Sequence, residues 1–208
     1  MMTERFNRAE RAVLEKHRTP LQVQRWLRSL PYNWRDDTLW TFRNVVRHQS
    51  ANCIEAAISA ATMMEQRGDP PLLLDLESED GLDHVLFLYR RPGGWGSIGK
   101  SRDVGLHGRR AVFRTVRDLA FSYVDPYVDG SGRIVGYGVA DLRELTSVDW
   151  RLSDRNVPAV ERHLIDMPHT QLSVSDRRHQ RMLGRFKSFK ERWPSRPFTS
   201  YRDKHKWL

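Results

Sequence analysis

Gln49-Ser50-Ala51-Asn52-Cys53-Ile54-Glu55-Ala56-Ala57-Ile58-Ser59-Ala60-Ala61-Thr62-Met63-Met64-Glu65 reads as one helix, with the only cysteine of the chain in its first turn. Asn52 is a good N-cap, and Glu55 three residues later completes a near capping box. Ala56, Ala57, Ala60 and Ala61 are strong helix formers whose small side chains let other elements approach closely. Ile54, Ile58, Ala61 and Met64 recur at three- and four-residue steps and define a core-facing stripe. Gly68 and Pro70-Pro71 stop the helix. Cys53 is thereby placed near the positive end of a helix dipole, which favours thiolate over thiol. The plainer alternative is a small buried hydrophobe, the usual role of a free cysteine.

Outward from this stretch, 208 residues suit one domain with appendages. A single cysteine excludes an internal disulfide and a multi-cysteine zinc site. No apolar run reaches membrane-span length, and the N-terminus lacks the apolar core of a signal peptide. A reduced, cytoplasmic protein with no membrane contact is the expectation. The net charge of +9 is uneven: residues 151–208 carry 14 Lys and Arg against 6 Asp and Glu, whereas residues 1–150 carry 21 against 20. The first part reads as a near-neutral domain (1–150) and the rest as a basic extension (151–208). That extension is expected either to be a solvated, partly disordered tail or to meet an acidic partner such as nucleic acid.

Before the cysteine helix, the pattern predicts helices over 3–17, Leu21–Leu30 (with Thr19 as cap and Pro20 in the first turn) and Thr38–His48. After it, the period changes. Leu72–Leu76, His84–Tyr89 and Trp95–Lys100 read as three strands of a meander, with a hairpin signal at Arg90-Arg-Pro-Gly-Gly94. A helix is expected over 112–124, a turn at Gly130–Gly132 and a final edge strand over Arg133–Val139. Helices over Pro158–Ile165 and Ser175–Trp193 and a tail from Pro194 complete the reading. The fold class is α+β.

A cysteine nucleophile needs a base that takes its proton, and histidine is the usual one. Among eight histidines, His84 opens a strand in the meander that follows the cysteine helix. A third group must accept from the other ring nitrogen. Ser101 and Asp103, just past the neighbouring strand, are the candidates. Asp83 faces the other side of its strand from His84.

The segments Asn52-Cys53-Ile-Glu-Ala-Ala, Leu82-Asp-His84-Val-Leu-Phe and Gly94-Trp95-Gly-Ser-Ile-Gly-Lys-Ser101 resemble the three motif segments of the transglutaminase-like, papain-like superfamily. From about Thr19 to Tyr137 the chain is similar to uncharacterised bacterial transglutaminase-like proteins. The resemblance implies a papain/transglutaminase-like core, with Cys53 as nucleophile, His84 as base and Ser101 or Asp103 as third member. Many members place Asp near the end of the strand opened by Gly-Trp; here Gly99, Lys100 and Ser101 stand there. It also implies an oxyanion donor upstream of the cysteine, which would be Gln49, with the Cys53 backbone N–H beside it.

Two functions of different class follow. One is thiol-dependent acyl transfer on a peptide or protein amide through a thioester, as a peptidase, amidase or transglutaminase-like enzyme. The other is an inactive scaffold acting as a binding protein. There Arg177, Arg178, Arg181, Arg185, Lys187 and Lys190 on the basic helix would contact nucleic acid or an acidic protein, with Phe186 and Phe189 for stacking. No cofactor is expected. No metal is expected either, since Cys53, His84 and a carboxylate offer no ligand pair at helical spacing.

Overall fold

Asn7, Thr19, Asn52 and Thr115 each begin a helix by the same device: the side chain accepts from the backbone three residues on, and Glu10, Gln22, Glu55 or Asp118 reaches back to the cap's own N–H. The structure, a computed structural model, describes residues 5–128, 132–199, 201 and 203–208. Among them are α1 (Arg8–Lys16), α2 (Pro20–Ser29), α3 (Phe42–His48), α4 (Cys53–Glu65), β1 (Leu72–Ser78), β2 (His84–Arg91) and β3 (Gly94–Ile98). They continue with β4 (Arg109–Phe113), α5 (Val116–Phe121), β5 (Ile134–Asp141), α6 (Pro158–Asp166), β6 (Thr170–Gln171) and α7 (Asp176–Arg192). Residues 3 and 4 of the first expected helix, and 130 and 131 of the expected turn, lie outside the described residues.

The strands form one antiparallel sheet in the order β4-β3-β2-β1-β5-β6. Both faces are covered, which is why β1 and β2 are nearly continuous apolar runs rather than alternating ones. Leu73, Val85, Phe87, Tyr89 and Ile98 face α4 and the other N-terminal helices. Leu74, Leu76, Leu86 and Leu88 face Leu119, Ala120 and Tyr123 in and after α5. Helix α4 is buried along most of its length. Its Ser59 and Thr62 hydroxyls donate to the carbonyls of Glu55 and Ile58, so neither is left unpaired in the core.

Four expectations are corrected. The helix over 112–124 is a strand followed by a six-residue helix, because pairing of Trp95 with Phe113 across β3 and β4 overrides the local helical spacing. Strand β5 is not an edge: β1 lies on one side and the two-residue β6 on the other. Residues 151–208 do not stand apart either. Leu152, Val157, Val160 and Leu164 belong to the same core as α4. The chain end, expected as a tail, turns back: Leu208 N–H donates to Gly108 O at 3.1 Å and Phe198 is buried against Phe186 and Phe189. Among the described residues no helix is long and apolar enough to cross a membrane.

Candidate active site

Glu55 organises the start of α4. Its buried carboxylate accepts from Asn52 N (2.9 Å), Asn33 Nδ2 (3.0 Å), Thr38 Oγ1 (2.9 Å) and Trp40 N (3.1 Å). The segment 31–40 is thereby tied down beside Cys53, and Tyr32 pairs with Ala51 in a short bridge. On the other side come the beginning of β2 and the loop after β3. Between them lies a cavity of about 560 Å³ lined by Tyr32, Cys53, Asp83, His84, Ser101 and Asp103, among others. Its mouth carries Trp34, 72 % exposed, with the Arg102 guanidinium 5.6 Å from the ring centre.

The cavity thus gathers four of the sequence-derived candidates. It does not gather Gln49, which ends α3 in a left-handed conformation, is exposed, and donates its side-chain amide to Val46 O at 2.7 Å. The oxyanion role expected of Gln49 is corrected accordingly: its donor is turned back onto its own helix. Tyr32 stands in the cavity instead. Burial first, then the nearby Cys53 charge, push its hydroxyl up to about 12, against the opposing influence of Arg102, so it keeps its proton.

Cys53 is half-buried. Burial pushes its thiol up, against the lowering effect of the Val85 and Ile54 backbone N–H groups, and the Asp75 charge adds to the rise. Burial thus opposes the thiolate preference expected from the helix dipole.

His84 is 3 % exposed, and burial lowers it to about 4. Its Nε2 lies 2.8 Å from the carbonyl oxygen of Leu106. A carbonyl only accepts, so Nε2 carries the proton and Nδ1 holds a lone pair. The group that orients the imidazole is thus a main-chain carbonyl, in place of the Ser101 or Asp103 expected. Ser101 Oγ accepts from the Asp103 N–H at 3.2 Å, and Ser101 O receives His107 Nε2 at 3.0 Å. Sequence could not have shown this partner, because any residue at 106 offers the same carbonyl.

Alternation along β2 places His84 with Leu86 and Leu88, whereas Val85 points with Phe87 toward α4. The thiol and the imidazole reach the cavity from opposite faces of the sheet, at the end where β2 begins. Arg109 holds the loop that carries Leu106. Its Nη1 donates to His107 O (2.7 Å) and its Nη2 to Gly105 O (2.6 Å), one on each side of the orienting carbonyl. Lys100, from the Gly-Lys-Ser segment, is buried and donates to the carbonyls of Leu27 and Leu30 at the end of α2.

A histidine–aspartate pair lies elsewhere in the sheet, with no sequence motif to mark it. On the α4 side of the sheet, His169 Nε2 meets Asp75 Oδ2 at 3.1 Å. Burial first, then the Asp83 charge, raise Asp75 to about 6, while His169 works against them. Gly138 makes the room, since a Cβ there would lie 3.1 Å from the His169 ring.

The basic helix α7 is amphipathic. Arg178 is paired with Asp125 at 2.7 Å, and Lys190 donates to the carbonyls of Pro194 and Arg196. Arg177, Arg181, Arg185 and Lys187 are exposed. The stacking expected of Phe186 and Phe189 is corrected, because both rings pack on Phe198. Among the described residues no group of three His, Cys, Asp or Glu is placed to hold a metal ion. Comparison with protein-family models and with curated proteins finds no match for this chain.

Proposed function

We propose that the protein is a thiol-dependent acyl-transfer enzyme built on a transglutaminase-like, papain-like core, acting on a peptide or protein amide in the Cys53 cleft. The observation that carries this reading is that Cys53 and a neutral, proton-fixed His84 line one cavity of about 560 Å³. That volume falls within the roughly 300–1,000 Å³ of small-molecule and side-chain pockets.

Cys53 rests as a thiol, so attack and deprotonation are concerted. Sγ bonds to the substrate carbonyl carbon as its proton passes, through a water in the cavity, to His84 Nδ1 across the sheet edge. The Cys53 backbone N–H and the Tyr32 hydroxyl, which retains its proton, would face the developing oxyanion. Collapse expels the amine, which leaves with the proton from Nδ1, and a thioester remains. Water then completes hydrolysis, or a second amine completes transamidation.

The test uses p-nitrophenyl acetate as a generic acyl donor, followed by mass analysis of the intact protein and its peptides. The expected result is a burst of nitrophenol with one acetyl group on Cys53, and no such adduct in Cys53→Ala. Acetylation confined to lysines, at equal rates in both proteins, would overturn the reading.

A further inference from the structure

A second cavity, of about 700 Å³, lies between β4, α5, the start of α7 and the chain end, and its charge is opposite in sign to that of the Cys53 cleft. Five basic side chains line it: Arg109, Arg114, Arg117, Arg178 and Lys206. Three carboxylates line it too, and each is already engaged. Asp125 pairs with Arg178 (2.7 Å), Asp203 with Lys206 (3.2 Å), and Asp118 caps α5 through Thr115. Among the described residues Arg114 and Arg117 are exposed and form no ion pair. The Cys53 cleft, by contrast, has Arg35 and Arg102 against Asp36, Asp83, Asp103 and Glu161.

Arg109 makes the second cavity unusual. It is 1 % exposed, yet every hydrogen bond of its guanidinium goes to a neutral oxygen: the carbonyls of Gly105, His107, Gly108 and Ser122 and the Ser122 hydroxyl. Arginine does not give up its proton in proteins. A full positive charge is therefore held at the cavity floor, between the rings of Tyr123 (4.0 Å) and Trp207 (5.2 Å), and among the described residues no carboxylate pairs with it. Buried charges are ordinarily paired. Among the described residues no carboxylate supplies the counter-charge, and the cavity above is where it would be supplied.

We propose that this cavity binds a phosphate ester. Its excess of two positive charges matches a phosphate dianion. Arg114 and Arg117 offer the planar forks that suit phosphate oxygens. The volume exceeds what a bare phosphate fills, and Phe113, Phe121 and Trp207 line the remainder, so the organic part of the ligand carries a flat or apolar group. A nucleotide meets both conditions, either free or as a unit of a single-stranded nucleic acid.

The test is calorimetric titration of the full chain at 50 mM salt with pyrophosphate, AMP, ADP and a single-stranded oligonucleotide. Wild type is expected to bind at least one phosphate ester. Arg114→Glu and Arg117→Glu are each expected to weaken it at least about tenfold. Arg181→Glu, on the exposed face of α7, is expected to leave affinity within about twofold. Binding of AMP or ADP would identify a free nucleotide as the source, and binding of the oligonucleotide alone a nucleic acid. Equal weakening by Arg181→Glu would show a diffuse basic surface and overturn the proposal, as would binding of pyrophosphate alone or the absence of binding by AMP, ADP and the oligonucleotide at millimolar concentration. Thermal unfolding of the three variants, expected to match wild type, excludes misfolding as the cause.

Discussion

Glu55→Ala is expected to lower the unfolding free energy by about 3–5 kcal/mol. The reason is the number of donors that converge on one buried carboxylate. Trp40 N–H and Asn52 N–H, main-chain groups held in place by the fold, lose their acceptor, and Asn33 Nδ2 and Thr38 Oγ1 lose their carboxylate partner and keep only weaker neighbours, Thr38 Oγ1 and Arg35 O. A buried donor left unpaired costs about 1–3 kcal/mol, whereas a net hydrogen bond contributes only about 1. The first turn of α4 loses half of its capping box as well. Glu55→Gln retains one acceptor and is expected to cost less than alanine. Urea unfolding, comparing midpoints at constant slope, measures both. A Glu55→Ala midpoint within about 1 kcal/mol of wild type would mean that segment 31–40 is held by other contacts.

Acidification is expected to destabilise the protein well before surface ion pairs titrate. His84 and His107 are both lowered to about 4 by burial. In the unfolded chain each would take up its proton near pH 6.5. Between these values the unfolded state binds more protons, so stability is complete above about pH 6.5 and is lost as pH falls toward 4. By pH 4.5 each histidine accounts for about 2–3 kcal/mol of that loss. Asp75 acts in the other direction. Raised to about 6, it holds a proton in the folded state that the unfolded chain releases, which returns about 2 kcal/mol over the same range. The net expectation is a fall of about 3 kcal/mol between pH 7 and pH 4.5, most of it removed in His107→Gln. His107 suits the test because its Nδ1 is buried without a partner. A flat stability profile across this range in wild type would contradict the burial of both rings.

What could be read in the sequence was local. Asn52 and Glu55 specify the start of α4 by themselves, and Leu72–Leu76 and His84–Tyr89 are apolar because a sheet covered on both faces needs them so. What could not be read depends on residues distant in the chain. Val112, Val116, Leu119 and Tyr123 have helical spacing, but Trp95 pairs Phe113 into the sheet. Strand β6 is only two residues long and shows no pattern, so β5 looked like an edge. The chain end is basic and lacks periodicity, yet Trp207 pairs with Arg109 in an isolated bridge. In the cleft, residue type and order pointed to Cys53 and His84, which line one cavity. The carbonyl of Leu106, the Tyr32 hydroxyl and the buried Arg109 were not legible, because each is defined by its placement rather than by a motif.

The central claim is that the His84 imidazole serves as base for the Cys53 thiol. The most direct measurement is the acylation rate of Cys53 by p-nitrophenyl acetate at pH 7.5 in wild type and in His84→Gln, with folding of the variant checked by its thermal transition. The rate is expected to fall by about 100-fold or more, the usual contribution of a positioned base. An unchanged rate in a folded His84→Gln protein would show that the imidazole does not take the thiol proton.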